Sequence, residues 1–144
     1  MILSINQLFS DAQAITADAI SNVIDLGLAR TPHRAKAALE QDIGKGSAVP
    51  LLIQVVEAFN TLTSLEITVE VSANADLSSS TVLLTQSIPL ADLVAGKTTY
   101  VQVVPTGASK RYLGIRYNVV GTNPTEGKIT AGITVGNQTN FTGA

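Results

Sequence analysis

The chain contains no cysteine and no tryptophan, one histidine, and few charges. Without cysteine, neither disulfides nor thiolate metal sites can hold the fold together. The single histidine, His33, has no companion ligand for a metal, and histidine-dependent acyl transfer would have to run through it alone. No G-x-S-x-G elbow accompanies it. Asp, Glu, Lys and Arg together make up 14% of the 144 residues, against roughly 25% in ordinary globular proteins. Nine cationic and eleven acidic residues leave a net charge of -2, so the electrostatic footprint of a nucleic-acid-binding protein is missing. No apolar run approaches the ~18 residues of a membrane-crossing helix. The longest runs, such as Ala48 to Val56, are interrupted by Pro50 and Gln54. The N-terminal MILSINQLFSDAQ has neither a basic region nor a small-residue cleavage site, so it is expected to form an ordered strand or an extended arm rather than a signal peptide. Without a secretory signal, the sequons at Asn137 and Asn140 carry no message.

What is present is a pattern of period 2. Leu113, Ile115, Tyr117 and Val119 alternate with polar or small residues, and so do Ile129, Ala131, Ile133 and Val135. Alternation marks half-buried strands. The turn-forming GTNPTEG between them predicts a long β-hairpin. Upstream, Leu65, Ile67, Val69 and Val71 alternate with Glu66, Thr68 and Glu70. Further strands are expected over Ile2–Phe9, Ala12–Thr16, Asn22–Leu26, Val82–Ile88 and Thr99–Val104, and the mostly apolar Pro50–Ala58 is expected to be a strand buried on both faces or bent. About eight to ten short strands with turn signals between them predict an all-β, antiparallel jelly-roll or related sandwich. One helix is expected, over Pro32–Asp42, with Thr31 as N-cap, Pro32 in the first turn and Gly44 as the stop. A second helical turn is expected after Pro89, closing at Gly96. The chain is read as one domain, 1–144, with an insertion at 28–46 and a flexible tail at 136–144.

The remaining chemistry-like patterns reduce to structure. Gly121–Lys128 (GTNPTEGK) has five residues between its glycines and Ile129 after the lysine, which breaks the P-loop pattern. Gly44-Lys45-Gly46 lacks the strand–helix context of a dinucleotide site. Glu66 and Glu70 are four residues apart on one strand, roughly 13 Å, too far for a glycosidase pair, and are expected on a solvated sheet face. No catalytic, cofactor-binding or metal-binding residue is assigned, and the chain is not expected to be an enzyme. Low charge combined with a mean hydropathy of +0.30 admits two surfaces: one rich in Ser, Thr, Asn and Gln, or one covered by other subunits. The basic concentration is Arg30, Arg34, Lys36 and Lys45.

Two blocks, Ser10–Gly27 continuing at Asp42–Phe59, and Lys110–Thr134, resemble the jelly-roll capsid cement (decoration) proteins of short-tailed phages of the Bordetella-phage type. The segment Leu28–Gln41 is longer than the resemblance leads one to expect. The resemblance implies a virion structural protein, made in the host cytoplasm, that binds the capsid exterior and clamps neighbouring major capsid proteins. It also implies a homodimer or homotrimer, with no cofactor, nucleic acid or membrane partner. Expected interface residues are Arg30, Arg34, Lys36 and Lys45, with Phe9 and Phe141 towards the chain ends. The competing class is a carbohydrate-binding, lectin-like jelly roll, which would need aromatic platforms that three tyrosines and three phenylalanines supply poorly.

Overall fold

The computed structural model describes residues 3–39, 42–43, 49–101 and 104–134. Its strands, in chain order, are β1 (Leu3–Ala14), β2 (Ala19–Ile20), β3 (Ile24–Asp25), β4 (Leu51–Glu57), β5 (Leu62–Ser72), β6 (Thr81–Pro89), β7 (Thr98–Val101), β8 (Tyr112–Gly121) and β9 (Lys128–Thr134). They form two antiparallel sheets with spatial orders β1-β9-β4-β7 and β2-β8-β5-β6, and β3 also lies on β8. β2 pairs with Tyr117 and Arg116 while β3 pairs with Leu113 and Tyr112, so the two act as one interrupted strand. Counted that way, the eight positions have the order of a jelly roll.

The inner faces explain why these residues form these strands. From one sheet come Leu65, Ile67, Val69 and Val71 of β5 and Leu113, Ile115 and Tyr117 of β8. From the other come Phe9, Leu51, Ile53, Val55, Ile129 and Ala131. Each set occupies alternate positions, because successive side chains of a strand leave opposite faces. A polar tie crosses this core. Ser10 Oγ donates to Gln13 Oε1 at 2.8 Å and lies 2.8 Å from the Tyr117 hydroxyl, so Tyr117 donates to Ser10. Burial pushes the Tyr117 phenol up to about 12, against a smaller opposing effect of Ser10.

The expected hairpin is not a hairpin. β8 and β9 lie in different sheets, and Gly121–Lys128 carries the chain across the end of the sandwich. Period 2 reveals which face of a strand is buried, not which strand lies beside it. Here the two apolar faces meet across the core instead of sharing a sheet. The P-loop-like segment is thus a crossover held by side chains: Asn60 Nδ2 donates to Thr125 Oγ1 (2.8 Å) and Thr125 N–H donates to Asn60 Oδ1 (2.9 Å). Its last glycine, Gly127, has φ +137, and a Cβ there would overlap the ring of Phe59.

The expected helix over Pro32–Asp42 is also absent. Over residues 31–39 the chain makes turns closed by Ala35 N–H to Pro32 O (3.0 Å) and Leu39 N–H to Arg30 O (2.9 Å). Every residue from Leu28 to Leu39 is exposed. A three-turn helix with no buried face lacks the packing that usually supplies helical stability, and Arg34 at φ +65 interrupts it. Residues 40–41 and 44–48 lie outside the described residues. The second expected turn is present as a single 3-10 turn at Leu90–Asp92, with Gly96 at φ +86 behind it. Ala12–Thr16 forms no separate strand: β1 runs on to Ala14 through a distortion with Ala12 at φ +45. The inner face of β4 is buried as expected, but its outer face is covered only at Leu52, with Gln54 half-buried and Val56 45% exposed. Leu52 points away from the core, yet is fully covered.

Replacing Gly127 by alanine is expected to destabilise the protein by about 1–3 kcal/mol through overpacking against Phe59 and loss of a positive φ. A lower urea midpoint at unchanged slope would show it.

Candidate functional site

The exposed excursion 28–39 is moored at both feet. At its start, Asp25 accepts two hydrogen bonds from Arg111, from Nε (2.9 Å) and Nη2 (2.6 Å). It also accepts the Gly27 N–H at 2.8 Å. The Arg111 guanidinium stacks over the Tyr112 ring, 4.9 Å from its centroid, and Leu26 N–H donates to Arg111 O at 2.8 Å. At the other foot the Asp42 carboxylate accepts the N–H groups of Gly107 (2.9 Å) and Ala108 (3.2 Å). The hydrogen bonds from Arg111, then that from Gly27, hold the Asp25 carboxyl down to about 2.

Residues 28–39 carry Arg30, Arg34 and Lys36 and no acidic residue, and Glu40 follows directly. Three of nine cationic residues therefore sit on twelve exposed positions, leaving six against eleven acidic residues in the rest of the chain. Leu28 and Leu39 flank the cations and are 55% and 60% exposed. His33 lies in the same exposed stretch. The structure thus brings Arg30, Arg34 and Lys36 together on one projection. Lys45 and Phe141 lie outside the described residues. Phe9 is corrected: at 1% exposure it belongs to the core between the sheets and presents nothing to a partner.

The outer face of the β5–β8 sheet also differs from expectation. Glu66 is half-buried, but Glu70 and Thr68 are buried rather than solvated. The loop 73–80 folds back so that Leu77 is 1% exposed, and it rests over Gly114, where a Cβ would come within 2.7 Å of Leu77 Cδ1. Under this cover Glu70 accepts from Arg116 Nε (3.1 and 3.2 Å), Thr68 Oγ1 (2.9 Å) and Ser80 Oγ (2.8 Å). Burial works to raise the Glu70 carboxyl, but the hydrogen bonds from Arg116, Ser80 and Thr68 outweigh it and leave it below its ordinary value. Two signals in the sequence mark this site: Leu77 is the one large apolar residue in a polar loop, and Gly114 interrupts a strand where a neighbour must come close.

Among the described residues no group of His, Asp and Glu is placed to hold a metal, and no helix is long and apolar enough to cross a membrane. A cationic loop on a moored base can dock against an acidic surface.

The sequence pattern of the Bbp16 family matches residues 9–133. The chain belongs to the Bbp16 family. This is a phage-associated family, and the match makes the chain a phage virion-related protein. No curated protein matches the chain significantly. Among solved structures it is similar to the PBSX exported protein XepA, at 14% identity and a TM-score of 0.48, over 94% of this chain. This chain spans 39% of the length of that protein.

Two outcomes are expected from the carboxylates. Asp25 and Glu70 both have lowered folded values, so their contribution is present above the ordinary carboxylate range and is lost as pH falls through those lowered values. Glu70→Gln should cost about 1–3 kcal/mol at neutral pH and flatten the acid limb of a stability-against-pH curve; an unchanged acid limb would contradict the assignment. Asp42→Ala should speed tryptic cleavage after Arg30, Arg34 or Lys36, read by mass spectrometry, while leaving the thermal midpoint nearly in place.

Proposed function

We propose that this protein is a structural rather than a catalytic component: a cement protein that binds the outside of a tailed-phage capsid shell and clamps neighbouring major capsid proteins. The observation that carries the reading is the moored cationic projection 28–39, with Leu28 and Leu39 exposed beside Arg30, Arg34 and Lys36. Membership of a phage-associated family supports it. So does the resemblance of Ser10–Gly27, Asp42–Phe59 and Lys110–Thr134 to phage cement proteins.

The physical mechanism is mass action. A protein that binds the assembled shell more tightly than its separate subunits stabilises assembly. Each contact can be weak, because a repeating lattice presents many equivalent sites and clamping two neighbours at once adds avidity. The projection supplies both parts of such a contact. Leucines bury apolar area, while Arg and Lys select an acidic surface and reject a basic one. A rigid base matters because a loop already held in place loses less freedom on docking.

A lectin-like role is less well served. Phe9, Phe59 and Tyr117 are buried in the core, and Tyr112 lies under Arg111. Those rings are not free to stack on a sugar.

The test is a triple charge reversal, Arg30→Glu, Arg34→Glu and Lys36→Glu, added to assembled phage heads stripped of this protein. Occupancy per head should fall at least about tenfold, three surface ion pairs each being worth up to ~1 kcal/mol. The thermal midpoint of the free protein should stay unchanged. Undiminished occupancy would remove the projection as the contact, and no binding by the unaltered protein would remove the cement reading itself.

A further inference from the structure

β1 parts from its neighbour most widely near its start. Leu3 pairs with Thr134 and Leu8 with Gly132, so four residues of β1, Ser4 to Gln7, stand opposite the single residue Ile133 of β9. The surplus is thrown out as a bulge in which all four residues are exposed. Ile5 is 85% exposed, more than any other large apolar side chain among the described residues.

The bulge is pinned at its feet. A Cβ on Gly132 would come within 3.1 Å of both Leu3 Cδ2 and Leu8 Cδ1, and within 3.3 Å of Gln7 O. The missing side chain thus leaves a seat that the two leucines share, and both are half-buried there. Burial alone would turn Ile5 inwards and leave Ser4 or Asn6 outside. The register does the opposite. A single exposed apolar residue is ordinary on a flat surface, but a bulge is a device that re-aims a side chain.

The position of the bulge ties it to the projection 28–39. Gln13 Nε2 donates to Ile20 O at 2.9 Å, and Asn22 N–H donates to Phe9 O at 2.8 Å. Followed from Gln13 back to Leu3, β1 therefore runs beside Ile20 to Asp25 in the same sense. Leu3 lies at the far end of β9 and Asp25 at the near end of β8, both opposite the crossover 121–128. The bulge and the foot of the projection leave the sandwich at one corner.

Their chemistry differs. No charged side chain lies within residues 1–10. Ile5 stands between Ser4 and Asn6, with Gln7 beyond, as an apolar anchor ringed by neutral hydrogen-bonding groups. Interfaces are built this way, with an apolar centre inside a polar rim. The fitting partner is a protein surface with a small apolar pocket and an uncharged polar rim.

We infer that Ile5 is a second anchor of the shell contact, filling an apolar pocket of the major capsid protein beside the acidic surface that receives residues 28–39. This rests on the shell-binding reading above. One anchor is coulombic and weakens as salt screens it, while the other is apolar and does not. Because the bulge is already held by Leu3 and Leu8, it loses little freedom on docking.

The test uses the full chain and phage heads stripped of it. Ile5→Ser should weaken binding to the heads at least about tenfold, with the thermal midpoint of the free protein unchanged. That ratio should hold as salt is raised, whereas the effect of the triple charge reversal should shrink. Because the chain has no cysteine, Ile5→Cys gives a second readout. The introduced thiol should be alkylated rapidly in the free protein and at least about tenfold more slowly on the heads. Ile5→Ser binding within about twofold of the unaltered protein would overturn the inference. So would a thiol that reacts equally fast on and off the heads, or one already shielded in the free protein, since a second copy would then cover Ile5. If the charge reversal weakens binding and Ile5→Ser does not, this inference alone fails. If the unaltered protein does not bind the heads, the shell-binding reading fails and takes the inference with it.

Discussion

The structure depends on two half-apolar sheets closing over each other. Leu65, Ile67, Val69 and Val71 on β5 and Leu113, Ile115 and Tyr117 on β8 have no other place to go than against Phe9, Ile53, Val55, Ile129 and Ala131. That single requirement fixes the register of the central strands, since a slip of one residue would turn every apolar side chain to the outside. It sends the connections to the two ends of the sandwich and leaves the outer faces and edges to the few polar and charged residues available. The Tyr117–Ser10 hydrogen bond is the polar counterpart of this closure, satisfying two buried hydroxyls across the gap between sheets.

Scarcity of charge then decides how the surface is arranged. Four ion pairs are present among the described residues, Lys97–Asp92, Arg111–Asp25, Arg116–Glu70 and Lys128–Glu57. Two of them organise local structure. Arg111 and Asp25 fix the foot of the projection, and Arg116 and Glu70 lie beneath the loop that carries Leu77. The exposed Arg111–Asp25 pair contributes little to stability, and its importance is positional, whereas Arg116 meets a buried Glu70. The three cations left on residues 28–39 are then concentrated on one moored loop, while β6 carries none.

Much of this was legible in the sequence, and the failures have physical causes. Strands over Leu65–Val71, Leu113–Val119 and Ile129–Thr134 follow from period 2, and the burial of Leu51, Leu52, Ile53 and Val55 on β4 follows from its mostly apolar run. Strand partnership was not legible, because alternation identifies a face and carries no information about the neighbour; β8 and β9 were therefore read as a hairpin. The helix over Pro32–Asp42 had good local signals, Thr31 and Pro32 among them, but nothing to pack against, and tertiary packing outweighs propensity in short helices. Glu70 was read as solvated because a loop eight residues long can fold back over a sheet without any periodic signal. Leu77 and Gly114 are its traces. Of the expected interface residues, Arg30, Arg34 and Lys36 fall on one projection, whereas Phe9 is apolar, and burying it in the core satisfied that directly.

The central claim is that this jelly roll sits on the outside of a phage shell. Electron cryomicroscopy of the particle that encloses the encoding genome tests it most directly. The account predicts copies of the sandwich on the capsid exterior, bridging neighbouring major capsid proteins, with residues 28–39 against an acidic surface of the shell. A particle whose shell carries no density of this shape, or in which the sandwich is found only in the tail, would contradict it.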